Sequence, residues 1–252
     1  MEQHLCILEK SHNSILILVI LFLFTINLHA QYPTIRPKIE NLPTFDNKVL
    51  HYGYFVGFND FGFKFEYADG YYADEKLPDI QVEKSLGFNV GLIGDLRINK
   101  FFNLRIEPGL YANQKKLIYP DQLNLKDDQE KVREVKSTYI HLPLLIKFSS
   151  VRVNNFKPYI VAGLSTSFNL SSNQKSNDDN QNNVFRVKSK TFNYETGFGI
   201  DFYLPYFKFS PSIRGIFSIN NELIQDNDIK SPWTSNINRL FSRAVVINFT
   251  FE

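Results

Sequence analysis

Apolar side chains recur at every second position of this chain, in segment after segment, and that spacing restricts the fold more than any other feature. In "SRAVVINFTFE", Val245, Ile247, Phe249 and Phe251 share one face, while Ala244, Asn248 and Thr250 share the other. A helix would scatter these residues round its circumference; a strand sorts them onto two faces that meet different environments. The same sorting occurs upstream. Leu86, Phe88, Val90, Leu92, Leu96 and Ile98 oppose Asn89, Asp95 and Arg97, and Phe102, Leu104, Ile106 and Leu110 oppose Arg105, Glu107 and Asn113. Ile140, Leu142, Leu144, Ile146 and Phe148 oppose His141 and Lys147; Ile160, Leu164 and Phe168 oppose Ser165, Ser167 and Asn169. Phe198, Ile200 and Phe202 oppose Glu195 and Asp201, and Phe207, Phe209, Ile213 and Phe217 oppose Lys208 and Arg214. In the first such segment the apolar set runs on even numbers to Phe58 and on odd numbers from Phe61. That phase change predicts a bulge near Asn59 and Asp60.

These segments predict eight strands. Short links near Lys100, Asn154 and Pro205 alternate with long polar ones at about 68–84, 119–134, 171–189 and 221–237. An even number of antiparallel strands, with short turns at one end and long loops at the other, is the layout of an outer-membrane barrel. The 24 Phe and 13 Tyr residues agree with strands rather than helices.

A water-soluble barrel turns its apolar face inward, and a membrane barrel turns it outward. The rows of Phe, Leu and Ile are too bulky for the lumen of an eight-stranded barrel, which side chains only just fill. The face rich in Gly, Ser and Asn fits inside. Its charges come in both signs, Asp95, Arg97, Arg105, Glu107, Lys147, Glu195, Asp201 and Arg214, joined by His141, and suit a mutually neutralising interior network. Leu142, Leu144, Ile146, Phe198, Ile200, Phe202, Val245, Ile247, Phe249 and Phe251 are then lipid-facing. The expected fold is all-β: an eight-stranded antiparallel up-and-down transmembrane β-barrel over residues 51–252, located in the cell outer membrane. Aromatics at the end of the last strand also resemble the signal read by the barrel assembly machinery, with Glu252 a departure from its commonest form.

Upstream, the apolar run Ile15–Ile26 follows Lys10 and has the length of a signal-peptide core. Residues 1–30 are expected to be a signal peptide, and 31–50, with three prolines and no sustained period, a periplasmic extension. Cys6 precedes the apolar run, so the mature chain offers no thiol for a metal or nucleophile. A net charge of +2 without a compact Lys/Arg block gives no reason to expect nucleic acid as a partner. His51 and His141 are the histidines beyond the signal. A lumenal His141 among charges reads as packing rather than catalysis, although a lipid-deacylating barrel enzyme is the alternative. Asp127, Asp128, Asp178 and Asp179 lack the spacing of a calcium loop, and "GFGID" at 197–201 is a close-packing strand, not a phosphate loop. No catalytic residue, metal site or cofactor is expected.

"TYIHLPLLIKF" at 138–148, "KPYIVAGLS" at 157–165 and "RIEPGLYANQKK" at 105–116 resemble motifs of outer-membrane barrels with a PorT-like domain. "NLPTFDNKVLHYGYFVGFNDFGFKFEY" at 41–67 resembles the start of the PorT family, called SprT in gliding bacteria. The resemblance implies a non-enzymatic component of type IX protein secretion, and of gliding motility where adhesins use that route. Its implied partners are outer-membrane lipid and other type IX secretion components. The other reading is a structural or adhesive barrel whose loops bind an external ligand.

Overall fold

The computed structural model describes residues 39–69, 71, 79–120, 131–174, 185–228 and 231–252. The expected signal peptide, the start of the extension, and the acidic pairs at 127–128 and 178–179 lie outside them. The described strands are β1 (Leu50–Tyr67), β2 (Gln81–Lys84), β3 (Gly87–Arg97), β4 (Phe102–Ile106), β5 (Gly109–Ile118), β6 (Val132–Ser149), β7 (Phe156–Asn169), β8 (Lys190–Tyr203), β9 (Lys208–Ser218) and β10 (Ile237–Phe251). Every pairing is antiparallel, and β1 bonds to both β3 and β10, so the sheet closes on itself. A closed sheet leaves no unpaired edge for the bilayer to penalise.

Ten strands stand where eight were expected because two crossings are interrupted. Between β4 and β5, Gly94 pairs with Ile106 and Gly91 with Gly109, so the register runs through without an inserted residue. The gap falls at Pro108, which has no N–H to give the ladder. Between β2 and β3 the pairing with β5 shifts by one, from Lys84 with Lys115 to Phe88 with Ala112, which places a bulge at Ser85 and Leu86.

Cross-strand partners followed from Gly62 run through Arg243, Phe217, Tyr194, Leu164, Leu144, Ile106 and Gly94, and return to β1 at Tyr52, ten residues before the start. Eight crossings with that stagger, at about 3.3 Å per residue and about 4.8 Å between strands, imply a tilt of about 40° and a radius of about 8 Å. Side chains can fill such a tube completely.

The bulge expected at Asn59 and Asp60 is absent. β1 pairs with β10 without interruption from Tyr54 with Phe251 to Glu66 with Arg239, and the one shift lies between Glu66 and Tyr67. Odd-numbered residues face inward throughout β1: His51, Phe55, Asn59 and Phe61 are buried, and Phe63 and Phe65 are half-buried. What changes is the environment. Outward residues are apolar and exposed from Tyr52 to Phe58, then become Asp60, Lys64 and Glu66, where the strand leaves the lipid band. Inside, at the same height, apolar clusters join buried polar groups such as Lys115 and Glu222.

That upper lumen holds a cluster of Phe55, Phe61, Ile93, Tyr111, Tyr139, Ile216, Ala244 and Val246. A second cluster joins strand residues Leu117, Val135, Ile237 and Leu240 to loop residues Phe185, Val187 and Leu223. By the rule that outer-membrane barrels have short periplasmic turns and longer outer loops, this end is extracellular. At the periplasmic end Asn154, at φ 55°, closes a two-residue turn between Val153 and Phe156, whose backbones exchange bonds of 3.0 and 3.2 Å. Asparagine tolerates that left-handed conformation.

Candidate functional site

Because side chains alternate across each strand, the inward positions of β3, β4, β6, β8, β9 and β10 converge on the lower lumen. Arg105 is its hub. Its Nε donates to Asp95 Oδ2 at 2.7 Å, its Nη2 to Glu252 Oε1 at 2.8 Å, and its Nη1 reaches Glu107 Oε1 at 3.4 Å. Glu107 Oε2 accepts from Arg214 Nη1 at 2.8 Å, and Arg214 Nε lies 3.0 Å from Glu195 Oε2. Glu195 Oε1 in turn is 2.7 Å from His141 Nε2, and His141 Nδ1 is 2.8 Å from Ser167 Oγ. One connected network thus runs from Asp95 to Ser167.

Lys147 belongs to a neighbouring group. It donates to Asp201 Oδ2 at 2.6 Å and lies 4.0 Å from the Tyr159 ring centre, while Ser210 Oγ donates to Asp201 Oδ1 at 2.7 Å. Arg97 is inward by parity but sits at the periplasmic rim, where it donates to the backbone oxygens of Asn99 and Asp46 rather than to a carboxylate. Lys208 and Glu252 complete the cluster through a 2.7 Å ion pair. Neither was among the expected network residues, although both have the inward parity of their strands. Each buried charge here has an opposite charge beside it, without which burial in the bilayer would cost several kcal/mol.

The ten expected lipid-facing residues all lie on the outer wall. Phe249 and Phe251 are half-buried there because other outward aromatics cover them: Phe209 and Phe249 stack with ring centres 6.3 Å apart, and Tyr54 and Phe251 at 5.2 Å.

The order serine, imidazole, carboxylate in Ser167, His141 and Glu195 is one that can activate a nucleophile. Its surroundings are those of a core. All three are buried, Asn193 Nδ2 donates to Ser167 Oγ at 2.9 Å, Glu195 also holds Arg214, and the Tyr111 ring lies edge-on to His141 at 4.7 Å. Above them Phe55, fully buried, rests on two glycines. A Cβ on Gly91 would come within 2.5 Å of its ring, and one on Gly109 within 2.7 Å. Higher still, burial pushes the Glu222 carboxyl above its ordinary value, opposed by hydrogen bonds from Ser218 and Ser242.

Residues 39–49 cover the periplasmic mouth. Tyr203 donates its hydroxyl to Asp46 Oδ1 at 2.7 Å, and Lys157 lies 3.9 Å from the same oxygen. Phe45 stacks on His51 with ring centres 4.5 Å apart, and Lys208 lies 4.9 Å from the Phe45 ring centre. Arg152 stacks on Tyr203 at 3.7 Å and donates to the backbone oxygens of Asn41 and Leu42. Asn41 bonds the Asn155 side chain and the Tyr203 backbone oxygen, each at 2.9 Å. Period-two reasoning could not find this clasp, because its contacts come from an irregular segment and from turns.

A closed antiparallel barrel with an apolar outer belt and a charge-neutralised lumen defines an outer-membrane β-barrel protein. Residues 30–223 match the family described as "Outer membrane protein beta-barrel domain", and the chain belongs to that family. No curated protein matches the chain. Similar solved structures include OprG of Pseudomonas aeruginosa, 14% identical, covering 80% of this chain and 92% of its own, with a TM-score of 0.43. AlkL, solved in DMPC bilayers, is 9% identical over 88% of this chain and 93% of its own, with a TM-score of 0.38. The outer membrane enzyme PagL is 11% identical over 77% and 97%, with a TM-score of 0.35.

Proposed function

We propose that this outer-membrane barrel is a non-enzymatic component of type IX protein secretion, and of gliding motility where adhesins use that route, acting through contacts made outside its lumen. The observation that carries this reading is the filled lumen. Ion pairs occupy its lower part, Phe55 and Tyr111 its middle, and an apolar cluster its outer end. A tube of about 8 Å radius packed in this way offers no conduit for cargo, so a contribution to export falls to holding or assembling other components. The resemblance of 41–67 to the start of the PorT family supplies the pathway. We place the contact at the periplasmic extension, whose residues 39–49 present a fixed surface tied to the turns.

The test is complementation in the native host. Deleting the chain is expected to abolish release of cargo bearing the type IX C-terminal signal, and restoring it to recover release. Undiminished release without it overturns the reading.

One observation favours a second reading, a lipid-modifying enzyme: the Ser167–His141–Glu195 order. That reading requires the acyl composition of outer-membrane lipids to change when Ser167→Ala replaces the parent chain.

A further inference from the structure

We infer that the outer wall of β6–β10 binds a phosphate-bearing lipid of the outer leaflet, its phosphate at Arg243 and one acyl chain in a groove below. The proposal is independent of the secretion reading. Outward residues on this wall fall into rows set by the cross-strand register. In one row three successive strands contribute Ala162, Thr196 and Gly215. The row above contributes Leu164, Tyr194 and Phe217, and the row below Ile160, Phe198 and Ile213. The small row and the bulky row below it line a groove of about 710 Å³, with Ile146 on β6 and Val245 on β10 standing at the two ends of the small row.

Its small-residue floor spans β7, β8 and β9 between Ile146 and Val245, whose strands lie four inter-strand spacings apart, about 19 Å at about 4.8 Å each, room for a stretch of acyl chain rather than for a single side chain. Rows descend ten residues per circuit, so the β10 end is the extracellular one and the groove slopes into the bilayer from there. Arg243 stands at that upper end. It points outward two residues above Val245, is exposed, and has no carboxylate partner among the described residues. Nearby Lys64 and Lys84 are paired, with Glu66 at 3.5 Å and Asp60 at 3.3 Å. Gly62, the cross-strand partner of Arg243, carries no side chain, and the Lys84 chain lies over it, so the position beside Arg243 holds a second cation and no carboxylate of its own. Arg243 therefore lies where the outward face changes from Val56 and Phe58 to Asp60, the level of lipid headgroups, with a guanidinium free to hold phosphate through two parallel bonds. An unpaired cation at the upper end of an apolar groove matches an amphipathic occupant in both its parts. An apolar helix of a protein partner would use the groove and have no need of the charge.

The experiment is native mass spectrometry of the full chain in detergent, titrated with dipalmitoylphosphatidylglycerol and with dipalmitoylglycerol, which has the same chains but no phosphate. Thr196→Leu fills the groove floor from outside. Arg243→Gln removes the cation, and Arg239→Gln removes an exposed cation elsewhere on β10. Heat-modifiable gel mobility reports folding of each variant, and Ala162→Leu replaces Thr196→Leu if the latter does not fold. The parent chain and Arg239→Gln should each bind one phosphatidylglycerol. Arg243→Gln should bind it about tenfold more weakly, the worth of one charged hydrogen-bonded contact, and the groove-filling variant should lose it. Equal binding by all variants, or equal binding of dipalmitoylglycerol by the parent chain, overturns the proposal.

Discussion

Glu252 Oε1 lies 2.8 Å from Arg105 Nη2, joining the residue after β10 to the inward face of β4 across the lumen. Glu252 also holds Lys208 at 2.7 Å, and Arg105 holds Asp95 at 2.7 Å, so a single carboxylate ties the closing strand to β4 and β9. Removing one partner of a buried pair costs about 3–5 kcal/mol, because the other charge stays buried without compensation. Glu252→Gln should therefore lower the urea midpoint of the detergent-folded barrel. Arg105→Met, which leaves Asp95 without its ion-pair partner and takes one of two cations from Glu107 and from Glu252, should lower it further.

The wall makes a prediction of opposite geometry. Leu144 points outward in mid-wall, and an arginine there should cost about 2–4 kcal/mol of barrel stability. Gln114 points outward on β5, beyond Leu110 and Ala112 in the extracellular direction. Gln114→Arg should leave the urea midpoint unchanged, and equal effects at the two sites would reverse the assignment of faces.

These two predictions rest on features unequally legible in the sequence. Strand parity gave the inward set from Asp95 to Arg214 and the outward set from Leu142 to Phe251, since a period of two needs no tertiary information. Lys208 and Glu252 share that inward parity, but their partners, on β10, β4 and β9, follow from closure and stagger. From Phe61 onward the hydrophobic phase changes while the backbone phase does not, which is why no bulge forms at Asn59 and Asp60. The strand keeps its register while its outward face passes from lipid to water and apolar clusters enter the lumen on its inward face. Pro108 was visible, yet whether a proline bends a strand or only removes one ladder bond depends on its neighbours.

The clasp over the periplasmic mouth is made by residues 39–49 and the turns they touch. Asp46→Ala removes the acceptor of the Tyr203 hydroxyl and the carboxylate near Lys157. Losing a half-buried hydrogen bond of this kind costs about 1 kcal/mol. The barrel should still insert, since its ladder closes without these residues, but protease added from the periplasmic side should cut near Phe45 faster. Glu40→Gln, at an exposed residue that makes none of these contacts, should leave that rate unchanged, and an equal effect of the two changes would count against the clasp.

Ser167→Ala and His141→Ala separate packing from chemistry. Each removes a member of a buried network, so each should lower the urea midpoint. Export of type IX cargo should stay normal at matched barrel abundance. Loss of export in both variants at unchanged abundance would place the activity inside the lumen.

Ion conductance of the purified barrel in a planar bilayer tests the filled lumen most directly, and the proposed function rests on that filling. With Arg105 and Arg214 paired below, Phe55 resting on Gly91 and Gly109 in the middle, and the cluster around Leu117 and Leu240 above, the parent chain should show no steady unitary current. Reproducible open-channel steps from the folded, heat-modifiable form would contradict the account.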